Sequence, residues 1–150
     1  MLEQSKEYLD KAIRNLQIAD HMIYVTYPLF NERKLLLKIF NEINKSIINC
    51  IKSITGENNW NYIYNRFFNK EVLNLELTNQ QIKIIKEIIE LNRKHKDSAM
   101  EFVRKEKVVI MSNNLNIQTI DDDQIKAYLI VAKELLLKTK NIINNQNTNY

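Results

Sequence analysis

The stretch LLLKIFNEINKSIINCIKSIT, residues 35–55, decides the fold. Leu36, Phe40, Ile43, Ile47, Ile51 and Ile54 recur at steps of three and four, which places all six on one stripe of a helix. Lys38, Asn41, Glu42, Asn44, Lys45, Asn49 and Lys52 fall between them and read as a wet opposite face. A stripe this regular needs partner helices to cover it. Cys50, the single cysteine, sits beside the stripe and reads as a small core residue, so an intramolecular disulfide is excluded.

Partners are at hand on both sides. Upstream, Leu9, Ala12, Ile13, Leu16, Ala19, Met22 and Ile23 predict a helix over about 2–26 that ends at Pro28. The short connection to residue 35 predicts an αα-hairpin of antiparallel neighbours. Downstream, Gly56 is placed as a left-handed C-terminal cap. Residues 59–70, NWNYIYNRFFNK, put Trp60, Ile63, Tyr64, Phe67 and Phe68 at helical spacing. They read as a short lid over the bundle, and the same aromatics with Asn and Arg also suit base stacking.

Thr78 with Gln81 forms a capping box that opens a third long helix carrying Ile82, Ile85, Ile88 and Ile89. Ser98 with Glu101 repeats the signal, which predicts a kink near Asp97 and a further helical turn or two through Met100, Phe102 and Val103. VVIM and NIQTI, joined by Ser112-Asn113-Asn114, predict a small β-hairpin within 107–120. Asp121, Asp122 and Asp123 suit the positive end of a last helix, and helix capping explains them without a metal ion. Ile125, Leu129, Ala132, Leu135, Leu136, Ile142 and Ile143 line that helix, and a polar, frayed tail is expected from about residue 144. The expected fold is therefore all-α: one antiparallel four-helix bundle domain over 1–150, with a short extra helix and a small β-hairpin before the last helix.

One Gly and one Pro in 150 residues exclude glycine-rich phosphate loops and dinucleotide fingerprints. No cofactor and no metal site is expected. The N-terminus is polar and no apolar run reaches the length of a membrane span, so a cytoplasmic protein is expected. A net charge of +4 is compatible with RNA or an acidic protein as partner.

Two constellations could carry chemistry, the alternative for the first being a solvated Arg14 and a packed or partly exposed His21. Arg14-Asn15 followed by His21 would let a guanidinium stabilise a pentacoordinate phosphate while an imidazole moves the proton of a ribose hydroxyl, the chemistry of a metal-independent ribonuclease. The second is basic: Arg93, Lys94, His95, Lys96, Arg104, Lys105 and Lys107, interrupted by Asp97, Glu101 and Glu106, which reads as a nucleic-acid-binding segment or as a solvated face.

The apolar spacing of KAIRNLQIADHM followed by KLLLKIFNEINKSIINCIKSI resembles HEPN-type domains. The resemblance implies a small prokaryotic helical bundle, often a homodimer, related to toxin ribonucleases or to partners of nucleotidyltransferases. It also implies an Arg–polar–His signature, which Arg14, Asn15 and His21 match at its outer spacing. In the family that signature lies in the later helices; here it lies in the first, which points to a non-catalytic relative. HKDSAMEFVRKEKVVIMS, residues 95–112, is similar to a segment of small archaeal helical proteins.

Overall fold

A computed structural model describes residues 2–148, except the side chains of Ala99, Asn147 and Thr148. The chain is mostly helical, with one small three-stranded antiparallel sheet. Its helices are α1 (Leu2–His21), α2 (Tyr27–Phe30), α3 (Leu35–Thr55), α4 (Trp60–Asn69), α5 (Asn79–Lys96) and α6 (Asp122–Thr148). The strands β1 (Ser98–Arg104), β2 (Lys107–Ser112) and β3 (Ile117–Ile120) lie between α5 and α6.

α3 is the centre. Leu36, Phe40, Ile43, Ile47 and Ile51 are fully buried, as the stripe predicts. α1 runs antiparallel to it: Ser46 Oγ donates to the Ala12 carbonyl at 2.8 Å, and Ser53 Oγ donates to the Ser5 carbonyl at 2.7 Å. Those small hydroxyls let the two backbones approach closely while each hydroxyl keeps a partner. α6 packs on α3 and runs parallel to it: the Phe40 and Tyr128 ring centroids are 6.1 Å apart, and further along both helices Cys50 lies beside Thr139. The wet face expected of α3 is therefore only partly wet. Of the residues read as wet, Asn44 is buried, because α1, α4, α5 and α6 each contact this helix; Ser46 and Ser53 are buried too, and Cys50 is buried as expected.

Four further expectations need correction. Pro28 does not end the first helical segment. A π turn over Met22–Thr26 re-registers the ladder, with the Tyr27 N–H donating to the Met22 carbonyl. Pro28, which has no N–H to place, then sits in the first turn of α2. The segment ends at Asn31, which is left-handed at φ 49°. Residues 98–104 are not helical but form β1, which pairs with β2 in the register Glu101↔Ile110 and Phe102↔Val109. The β2–β3 hairpin expected within 107–120 is present, but two strands are marginal alone, and β1 supplies a third. Ser98 and Glu101 do meet, Oγ to Oε1 at 3.2 Å, as a side-chain pair and not as a helix cap. Finally, α6 continues as helix to Thr148, held by the buried Ile143; the last two residues of the expected frayed tail lie outside the described residues.

Capping follows the sequence. Gly56 has φ 72° and its N–H reaches the Lys52 carbonyl at 2.8 Å. Thr78 and Gln81 exchange both bonds of a capping box, at 3.1 and 2.9 Å. Asp121 Oδ1 accepts from the Gln124 N–H at 2.8 Å at the start of α6. Val108, Ile110 and Ile120 from one face of the sheet join the helical core. Among the described residues no helix is long and apolar enough to cross a membrane.

Candidate functional site

The basic segment is divided by the fold into two groups. Arg93, Lys94, His95 and Lys96 form the last turn of α5. Arg104, Lys105 and Lys107 cluster at the tip of the β1–β2 hairpin, where Lys105 is left-handed at φ 58°. A strand of seven residues separates the groups, roughly 20 Å at the usual rise.

Not every cation is free. The Arg93 guanidinium grips both oxygens of Glu90, at 3.1 and 2.5 Å, and also lies 3.7 Å from Asp97. The same grip holds the Glu90 carboxyl below the usual carboxylate range. His95 Nε2 stands 2.8 Å from Glu101 Oε1, which ties the end of α5 to β1. Lys94, Lys96, Arg104, Lys105 and Lys107 have no carboxylate partner among the described residues.

Strand alternation sorts the sheet into two faces. Val108, Ile110 and Ile120 point into the core. Met100, Phe102 and Arg104 of β1 lie on the outer face with Lys107, Val109 and Met111 of β2 and Ile117 and Thr119 of β3. Phe102, Val109, Ile117 and Thr119 floor a shallow groove of about 530 Å³, and Arg104, Lys105 and Lys107 stand at its edge. Met100 and Ile117 are more than half exposed, so this face is apolar and open.

A larger cleft, about 800 Å³, lies between α3, α4 and α5. Three helical stripes converge on it: Asn44, Ile48 and Lys52 from α3; Trp60, Asn61, Tyr64 and Asn65 from α4; Ile89, Asn92, Arg93 and Lys96 from α5. Asn44 and Asn92 are 2% and 5% exposed, and the Oδ1 of each has no hydrogen-bond partner among the described residues. A buried acceptor left unpaired costs about 1–3 kcal/mol. Trp60 and Tyr64 meet edge to face with centroids 5.8 Å apart. Sequence reading placed Asn44 and Lys52 on a solvated face and Trp60 in a lid. The signal was Asn44, Ile48 and Lys52 at steps of four on α3, and the matching stripe on α5 was needed to interpret it.

Arg14 and His21 are both exposed on α1, seven residues apart, about 10 Å along the axis. Neither lines the clefts described above, and neither has a hydrogen-bond or ion-pair partner among the described residues. Asn15, the polar residue between them, is engaged between helices: its amide donates to Glu42 Oε2 at 3.0 Å and its Oδ1 accepts from Asn49 at 3.0 Å.

Compared with known proteins, the chain matches no family model, no curated protein and no solved structure.

Proposed function

We propose that this chain is a non-catalytic, HEPN-like protein of the cytoplasm, built on an antiparallel four-helix arrangement of α1, α3, α5 and α6, that binds RNA through the sheet and the end of α5. One observation carries the reading: the outer sheet face joins an aromatic and aliphatic floor, Phe102, Val109 and Ile117, to an edge of Arg104, Lys105 and Lys107. Bases stack on such a floor while cations follow the phosphates. Glu106, the one carboxylate at that tip, lies 4.0 Å from Arg33 in the turn between α2 and α3.

Fluorescence anisotropy with labelled single-stranded RNA tests it. If the tip neutralises roughly three phosphates, log affinity falls against log salt with a slope of about −2. The Arg104→Glu, Lys105→Glu, Lys107→Glu chain should lose most of the binding. Binding that ignores salt, or that survives the charge reversal, overturns the reading. Equal competition by polyglutamate would replace RNA with an acidic protein. RNA cleavage that disappears in His21→Ala would overturn the non-catalytic part.

Self-association is a second reading, favoured by exposed apolar side chains at the α1–α2 shoulder. Leu29 and Phe30 are 75% and 71% exposed, and Tyr24 and Val25 about half exposed. Lys133 of α6 stands 5.9 Å from the Tyr24 ring centroid, and the exposed Ile130 lies three residues before it on the same helix. Sedimentation should show a homodimer that Leu29→Asp with Phe30→Asp converts to monomer; a wild-type monomer at high concentration removes this reading.

A further inference from the structure

We propose that the free edge of β1 docks the β1 of a second copy of this chain, antiparallel and centred on Phe102, so that the two three-stranded sheets become one continuous sheet. The contact uses none of the residues of the α1–α2 shoulder. It stands whether or not the outer sheet face binds RNA.

The edge is open. β1 is outermost in the order β1-β2-β3, and β2 is the only element in extended contact with it among the described residues. The two-residue turn Lys105-Glu106 closes the hairpin, so Arg104 and Lys107 exchange their backbone bonds. Counting back along β1, Phe102 and Met100 also aim their N–H and C=O groups at β2. Glu101 and Val103 aim theirs away. No backbone bond from another element reaches either residue among those described. Such a row of outward donors and acceptors is a template for one more strand. β3, the opposite edge, has only four residues before the chain turns into α6.

The side chains of β1 select the occupant and its register. A two-fold axis between antiparallel strands sets one residue opposite its own copy. Centred on Glu101, the pairing sets two carboxylates face to face. Centred on Val103, it draws Lys105 into the ladder, and Lys105 is left-handed at φ 58°. Centred on Met100, it runs into the bulge between Ser98 and Met100. Centred on Phe102, it uses residues 100–104 alone, all of which pair regularly with β2. Glu101 then faces Val103 of the second copy and exchanges backbone bonds with it. Met100 faces Arg104, and the two Phe102 rings meet across the axis, a cross-strand aromatic pair. Met100 is 55% and Val103 41% exposed, so the pairing covers apolar surface that water otherwise meets. Glu101 brings no unpartnered carboxylate, because His95 Nε2 at 2.8 Å and Ser98 Oγ at 3.2 Å hold it within its own copy.

Disulfide trapping of the full chain, without RNA, tests the register. A facing pair without backbone bonds sets its Cα atoms about 4.5 Å apart, within disulfide reach. Phe102→Cys should therefore give a covalent dimer with diamide as oxidant. Wild type, whose single Cys50 is buried, should stay uncrosslinked. Lys107→Cys, exposed on β2, measures random collision and should stay near that background. Adding Val103→Pro to Phe102→Cys removes an outward N–H and spares the bonds to β2, so the crosslink should vanish with the circular dichroism spectrum unchanged. Adding Leu29→Asp and Phe30→Asp instead should leave the crosslink at full yield, since the shoulder takes no part. A Phe102→Cys yield no higher than that of Lys107→Cys overturns the proposal. So does a crosslink that survives Val103→Pro, or one lost with the shoulder substitutions.

Discussion

Raising the pH should destabilise the wild-type chain more than a Cys50→Ala chain. Cys50 is completely buried on α3, with the hydroxyls of Ser46 and Thr139 beside it. Burial pushes its thiol from 9.0 up to about 12. Between those values the unfolded chain releases the proton and the folded chain keeps it. The folded state then binds more protons, so stability falls as pH rises. The contribution is fully present below the unfolded value of 9.0 and is lost through the folded value of about 12. Each unit corresponds to about 1.4 kcal/mol, so at about pH 11 the loss reaches a few kcal/mol. Tyrosines and lysines titrate in both chains and cancel in the difference, as does any fixed cost of the alanine. Urea unfolding followed by circular dichroism at about pH 8 and about pH 11 gives the number. Wild type should lose a few kcal/mol more than Cys50→Ala over that interval. Parallel losses would show that the thiol is not held in the core of α3. At mild pH the same burial should make Cys50 react with a thiol reagent only at the rate of unfolding.

Three substitutions test the supports of the fold by urea midpoint. Phe40→Ala removes a fully buried ring packed on Tyr128 and should cost about 3–5 kcal/mol. Gly56→Ala forces a β-carbon into φ 72° and should cost about 1–2 kcal/mol, where a neutral result would deny the left-handed cap. Thr78→Ala opens the capping box of α5 and should cost about 1 kcal/mol.

The rod at residues 35–55 is legible in the sequence because six of its apolar residues share one stripe. Its surroundings are less so. Periodicity divides a helix into two faces, and Asn44 and Ser53 fall on the polar one by residue type. With neighbours on several sides, those residues are buried all the same. β1 is masked twice. Ser98 and Glu101 imitate a helix cap, and the tight connection at Lys105-Glu106 carries none of the Gly or Asn that marks a hairpin. Lys105 takes the left-handed conformation without glycine's freedom. The basic segment is legible as a run of charges. Its division into two groups depends on β1 and is not. The cleft between α3, α4 and α5 is the least legible feature. Its amides are ordinary surface residues in sequence, and Asn44 and Asn92 lie on helices joined only by the intervening fold.

Ultraviolet crosslinking of the protein to single-stranded RNA, with the attached peptides mapped by mass spectrometry, tests most directly where a nucleic acid meets this chain. Adducts should fall on residues 93–109, with Phe102 the principal stacking partner. Adducts confined to the outer side of α1, around Arg14 and His21, would contradict the account.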